Sequence, residues 1–433
     1  MRVLLLALIA LLMLSSIFDW DPGPAPGLKL KNAILYLLAL GLTLRFSLDR
    51  RFKVELPWIH VVFAVLVGYS ILSYLAVVLV VDYPYYGVLS NALLLKNVVD
   101  QMLFFLVFFY GLRSEAEAIP VLKYLLAVFA LSHVASVLDA QGAISFGDIE
   151  QREDGRVQGL LGESNQYGAF VAMTLPALIS AAAITRGVQR LAWVLAVFIT
   201  GMTLIMTVSR GAYVAVFVAG ACALIMFRRY APPGRLLAAA VATMFAAILV
   251  AAIAFALGFG ELVYQRVIAG SSGDLGSTSS GRTEIWANVL EVMIEQPISF
   301  LTGFGWRAYW SMPFRFSPHN YYLNQWFNLG LTGLTCSILL FVLPIRTART
   351  AIKRASAVTR SVLIGFIVAT IAFAVATFFV DLSQPWLYFW AYAGVAMRLA
   401  VCAETHPAAL SSVSVDGAAP SADPFGWAGA LRR

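Results

Sequence analysis

The sequence predicts an all-α, polytopic membrane protein with about twelve transmembrane helices, and two observations carry that prediction. Apolar residues fill 61% of 433 positions and charged residues only 12%, outside the composition of ordinary soluble domains. The apolar residues also fall in runs long enough to cross roughly 30 Å of hydrocarbon as helices. The excess of seven basic over acidic residues is scattered through short loops between those runs. It builds no basic domain, so it is a topology signal and no nucleic-acid partner is expected. Cys222, Cys336 and Cys402 lie in or beside apolar runs without Cys-x-x-Cys spacing, so neither a zinc site nor a disulfide framework is expected.

Taken in order, the runs cover about 3–18, 30–45, 58–81, 88–112, 120–138, 165–184, 191–208, 211–228 and 236–259, then 320–343, 361–380 and 386–402. The first follows Met1-Arg2 and resembles a signal peptide, but no Ala-x-Ala pattern precedes Asp19. With the N-terminus inside, twenty of the thirty Lys and Arg residues fall on the inner side and ten on the outer. The bias is strongest in the loops Phe227 to Arg235 and Arg346 to Arg360, and it makes the long interruption extracytoplasmic. The expected organisation is nine helices over 1–259, a large loop at 260–319, three helices over 320–402 and a disordered, cytoplasmic tail at 403–433.

Basic residues on the outer face work against that bias, and seven of those ten are arginines, suited to a bidentate grip on phosphate. Arg210, in Ser209-Arg210-Gly211, is held between two apolar runs with almost no loop. It either snorkels to lipid phosphates or touches a ligand at the interface. Arg156 opens the stretch to Gly162 and Asn165, where two glycines let the backbone fold back and Asn165 is placed to cap the next span. The nearby acidic residues Asp148, Glu150, Glu153 and Asp154 fit no defined metal loop and are read as a solvated patch.

A Ser/Gly/Thr linker from Gly270 to Gly281 leads to Ser280 as N-cap and Arg282 in the first turn of an amphipathic helix that ends before Pro297. Gly303-Phe304-Gly305-Trp306 then reads as a flexible aromatic turn. Pro318-His319-Asn320 delivers a histidine to the first turn of the tenth span. It is the only one of four histidines on the outer face, and an imidazole there is either a polar anchor or a base for a hydroxyl proton.

Ser280-Gly281-Arg282, Trp286, Pro297, Gly303-Phe304-Gly305, Pro318-His319-Asn320-Tyr321 and Gly330-Leu331-Thr332-Gly333 together resemble the O-antigen ligase and polymerase superfamily. Arg156 to Asn165 and Ser209-Arg210-Gly211 resemble its upstream elements, so the match spans about 156–335. The resemblance implies a GT-C-type glycosyltransferase in the bacterial inner membrane that needs neither metal nor cofactor. It would take a glycan from undecaprenyl diphosphate and join it, on the periplasmic face, to a hydroxyl of the lipid A-core oligosaccharide. It implies His319 as the catalytic group, Arg210 and Arg282 on the diphosphate with Arg156 and Arg266 as further candidates, and Asn320, Asn165 and Asp381 in support. The Arg-x10-Gly spacing of the polymerase branch follows none of Arg152, Arg156, Arg266, Arg282 and Arg307, and only a short biased tail stands where the protein O-oligosaccharyltransferases carry further soluble sequence, which favours the ligase branch over both. A transporter of an anionic lipid or metabolite is the competing class, with its ligand near mid-membrane.

Overall fold

The computed structural model describes residues 2–17, 23, 29–48, 54–81, 83–144, 155–228, 248–265, 281–312, 317–382 and 385–405. Every element among them is helical. In chain order they are α1 (Arg2–Ile17), α2 (Leu30–Leu48), α3 (Pro57–Ala76), α4 (Val88–Tyr110), α5 (Glu115–Ala140), α6 (Ser164–Ala183) and α7 (Gly187–Met206). Then come α8 (Arg210–Phe227), α9 (Ile248–Val263), α10 (Arg282–Glu295), α11 (Tyr321–Ala351), α12 (Ala357–Ala376) and α13 (Pro385–Thr405). Nine helices among the described residues are long and apolar enough to cross a membrane. Three shorter apolar stretches, Arg2–Leu12, Arg210–Met226 and Ile248–Val263, lie on the other three expected runs.

Local chemistry fixes several helix starts. Ser114 Oγ accepts from Glu117 N–H at 3.3 Å, and Ser356 Oγ accepts from Thr359 N–H at 3.1 Å; each hydroxyl satisfies a first-turn amide that has no helical partner. α13 is buried along nearly its whole length, as an all-round apolar helix must be. It runs beside α4, α5 and α11, while α12 packs on α6 and α8. Trp390, Phe105, Phe129, Phe366 and Phe373 fill the space between them.

Two charged pairs lie inside the bundle among the described residues. Asp100 accepts from Asn32 Nδ2 and Tyr36 Oη, both at 2.7 Å, and from Lys96 Nζ at 2.5 Å. Lys96 is thereby tied within the bundle, where an unpaired charge would cost several kcal/mol. At one end, Arg398 bridges Glu55 at 2.7 Å and donates to Phe109 O at 2.8 Å. The three cysteines are free.

Candidate active site

α10 forms where expected and ends at Glu295, ahead of Pro297. Its cap differs from the expectation: Gly281, at φ +75°, precedes the helix and gives no side-chain bond, and Ser280 lies outside the described residues. Val289 and Met293 bury one face of α10 in a small second core with Phe304, Ala308, Tyr309 and Phe327.

The turn at 303–306, expected to be flexible, is clamped. Tyr69 Oη donates to Thr302 O at 3.0 Å, Tyr83 Oη to Phe304 O at 2.8 Å and Tyr86 Oη to Trp306 O at 2.6 Å. Phe304 N–H and Gly305 N–H donate to Phe327 O and Asn328 O at 2.8 and 3.0 Å. Those carbonyls are open because α11 breaks at Gly330, whose φ +59°, ψ −155° suits glycine alone. A Cβ on Gly330 would sit 2.1 Å from Leu301 O, and one on Gly303 would sit 2.4 Å from Asn328 O. The two glycine motifs seen in the sequence are therefore the two halves of one interlock.

His319 follows this turn on left-handed backbone, φ +49°, and is exposed. Asn320 caps α11, accepting from Leu323 N–H at 3.1 Å. His319 N–H donates to Ser317 Oγ at 3.4 Å, and that hydroxyl donates to Asp381 at 2.8 Å. Asn324 Nδ2 also donates to Asp381, and Asn328 Nδ2 to Asn324. Burial pushes the Asp381 carboxyl above its ordinary 3.8, while the Ser317 bond and the charges of Arg307 and His319 pull it down. Asp381 thus holds the loop that carries His319.

The short segment 377–381 gathers the rest. Thr377 O accepts from Tyr321 N–H at 2.9 Å. Phe378 meets Trp286 of α10 edge-on at 5.4 Å, and Trp286 Nε1 donates to Pro318 O at 2.7 Å. Arg282 lies one turn before Trp286 on α10. Gly211, beside Arg210, is pressed on Phe379 so closely that a Cβ would stand 2.6 Å from Phe379 Cβ. The first turn of α8, α10 through Trp286 and the His319 loop thus all meet the segment that ends in Asp381.

Arg156 has a different place. It is 6% exposed, and its guanidinium donates to Thr207 O at 2.9 Å, Asn165 Oδ1 at 3.1 Å and Val208 O at 3.4 Å. It braces the turn before Arg210, where Val208 is held at φ +47°, a conformation disfavoured for a β-branched residue. Asn165 does not cap α6; Glu163 occupies that position without a side-chain bond, and Asn165 receives Arg156 and Ser209 instead. Arg266 and the acidic residues Asp148 to Asp154 lie outside the described residues.

A cavity of about 440 Å³ opens beside His319 and Asp381, within the roughly 300–1,000 Å³ usual for small-molecule sites. Arg307 and six carboxamides, Asn97, Gln101, Gln166, Asn324, Gln325 and Asn328, line it. So do Trp306, Trp310, Trp386 and Trp390, but not Arg156, Arg210 or Arg282. The sequence signal for these amides was present: Asn97 and Gln101, and Asn324 and Asn328, recur four apart in apolar helices, where polar side chains seldom face lipid.

Residues 195–338 match the family model described as O-antigen ligase. This match, over about a third of the chain, supports the O-antigen ligase and polymerase superfamily. It takes in α8, α10, the His319 loop and the break in α11. The family implies glycosyl transfer of the ligase or polymerase kind, with lipid-linked glycan and lipid A-core substrates in general, and suits a multi-pass membrane protein. No curated protein matches the chain.

Proposed function

We propose that the protein is an O-antigen ligase, moving a glycan from undecaprenyl diphosphate to a hydroxyl of lipid A-core on the periplasmic face of the bacterial inner membrane. The observation that carries this reading is the meeting of the Arg210 turn, the Arg282 helix and the His319 loop on segment 377–381. The acceptor oxygen attacks the anomeric carbon, the carbon–oxygen bond to diphosphate breaks, and undecaprenyl diphosphate leaves with the bonding electrons. His319 takes the hydroxyl proton or holds the hydroxyl in line. Arg210 and Arg282 neutralise the leaving diphosphate. Diphosphate is a good leaving group, so neither a metal nor a carboxylic acid is required for its departure. Arg156 and Asn165 hold the Arg210 turn, Asn320 and Asp381 hold His319, and Arg266 is a further candidate for the diphosphate.

Periplasmic placement rests on the twenty-to-ten split of basic residues. The test supplies purified protein with undecaprenyl-diphosphate glycan and, in separate reactions, lipid A-core, a second lipid-linked glycan or an acceptor protein. A glycosylated lipid A-core supports the ligase. Chain extension or protein glycosylation would replace it with a sibling activity, and uptake into liposomes without transfer would replace it with transport.

A further inference from the structure

Two of the cavity's polar atoms point to its ligand. Asn328 Oδ1 and Arg307 Nε are buried and make no hydrogen bond among the described residues, although both residues line the cavity. One is an open acceptor and the other an open donor, a pairing that suits hydroxyl groups, which both give and receive hydrogen bonds. Arg307 is fixed there by its backbone: φ is +55°, Tyr86 holds the preceding carbonyl at 2.6 Å, and Ala308 is fully buried.

The walls say the same. Trp386 and Trp390 stack at 6.1 Å and 12°, adding flat apolar faces to the six carboxamides. Gln101 lies thirteen residues into α4, about 20 Å along its axis, so the polar lining reaches well into the bundle. An isoprenoid or acyl chain would leave Asn328 Oδ1 and Arg307 Nε without partners, at a cost of a few kcal/mol for each. The charges are mixed, Arg307 against Asp381 and Glu163, which disfavours a diphosphate.

We propose that this cavity is a saccharide subsite for an uncharged, polyhydroxylated ring, with Asn328 and Arg307 as its specificity-determining residues. Glycosyl transfer makes it the subsite of the acceptor sugar, since the diphosphate arginines Arg210 and Arg282 do not line it; that assignment, and it alone, rests on the proposed function.

The experiment exposes the full chain in nanodiscs to an array of neutral and acidic oligosaccharides and, separately, titrates it with inorganic diphosphate. Wild type is expected to retain neutral hexose-terminated glycans. Asn328→Leu, Arg307→Met and Gln101→Leu should each weaken that binding about tenfold and leave diphosphate affinity unchanged, which also shows that they fold. Gln101 stands outside the 303–330 interlock and guards against misfolding of Asn328→Leu. Arg210→Ala should do the reverse. Glycan binding that survives all three substitutions, the absence of any glycan binding by wild type, or an equal loss of diphosphate affinity in the cavity variants would overturn the proposal. Glycan binding with these properties in a chain that transfers nothing would uphold the subsite and remove the ligase reading.

Discussion

At one end of the bundle the Arg398 guanidinium pairs with Glu55 at 2.7 Å, donates to Phe109 O at 2.8 Å and lies 4.4 Å from the Phe109 ring centroid. At the other end Arg307 stands in a cavity with a buried nitrogen that has no hydrogen bond among the described residues. The backbone differs in the same sense. Among the described non-glycine residues, Tyr85, Val208, Arg307 and His319 hold positive φ at the second end, and at the first end only Leu56 does so. Such conformations cost about 1–3 kcal/mol each and persist where surrounding structure imposes them. One end is therefore built to lock helices, while the other holds side chains in place for a ligand.

The largest expected break in that contrast is His319→Ala. Transfer to lipid A-core in vitro should fall by about 10²–10⁴-fold, with an unchanged gel-filtration profile; a loss below tenfold would remove His319 from the chemistry. Gly330→Val comes next. It forces a β-branched residue into a glycine-only conformation and against Leu301 O, and should cost about 3 kcal/mol, read as a lower thermal midpoint together with lost transfer.

Arg398→Gln tests the locking end. Stability should drop by roughly 2 kcal/mol, while transfer per folded molecule stays at the wild-type rate. Asp381→Asn separates the two properties further. Because burial raises this carboxyl above 3.8, the folded state binds its proton more readily than the unfolded chain does. Its contribution to stability is full below 3.8 and is lost as pH rises through the raised value. Transfer needs the ionised form that accepts from both Ser317 and Asn324, so it should fall as pH drops through the same range. The Asn variant should be about tenfold slower at neutral pH and no less stable, and its pH–rate profile should lose that acid limb. The smallest effect is expected from Tyr86→Phe, about 1 kcal/mol of stability for one lost hydrogen bond.

The helices were legible because apolar run length is a local property, and α10 because its polar residues recur at helical spacing. Pro318-His319-Asn320 was legible as a histidine at a helix start. The interlock of Gly303 with Gly330 was not, since each glycine pattern alone reads as a turn or a packing contact. Tyr69, Tyr83 and Tyr86 gave no warning of their roles, because each holds a carbonyl more than 200 residues away. Of segment 377–381 only Asp381 stands out in the sequence, for a related reason: Phe378 and Phe379 look like the end of an apolar run, and only packing shows what they receive. Arg156 and Arg210 share a residue type and an expected face, and only the bonds of Arg156 to Thr207 O and Val208 O distinguish the brace from the residue it braces.

The clamp on the 303–306 turn also sets a timetable for biosynthesis. Tyr86 leaves the ribosome 220 residues before the Trp306 carbonyl it holds, a wait on the order of 10 to 40 s at about 5–20 residues per second. Until α11 follows and opens its carbonyls at Phe327 and Asn328, the Phe304 and Gly305 amides of the turn have nowhere to dock. The nascent chain is thus inserted long before it is competent, so a truncation that stops short of Gly330 should yield a membrane-embedded protein in which the site has never closed.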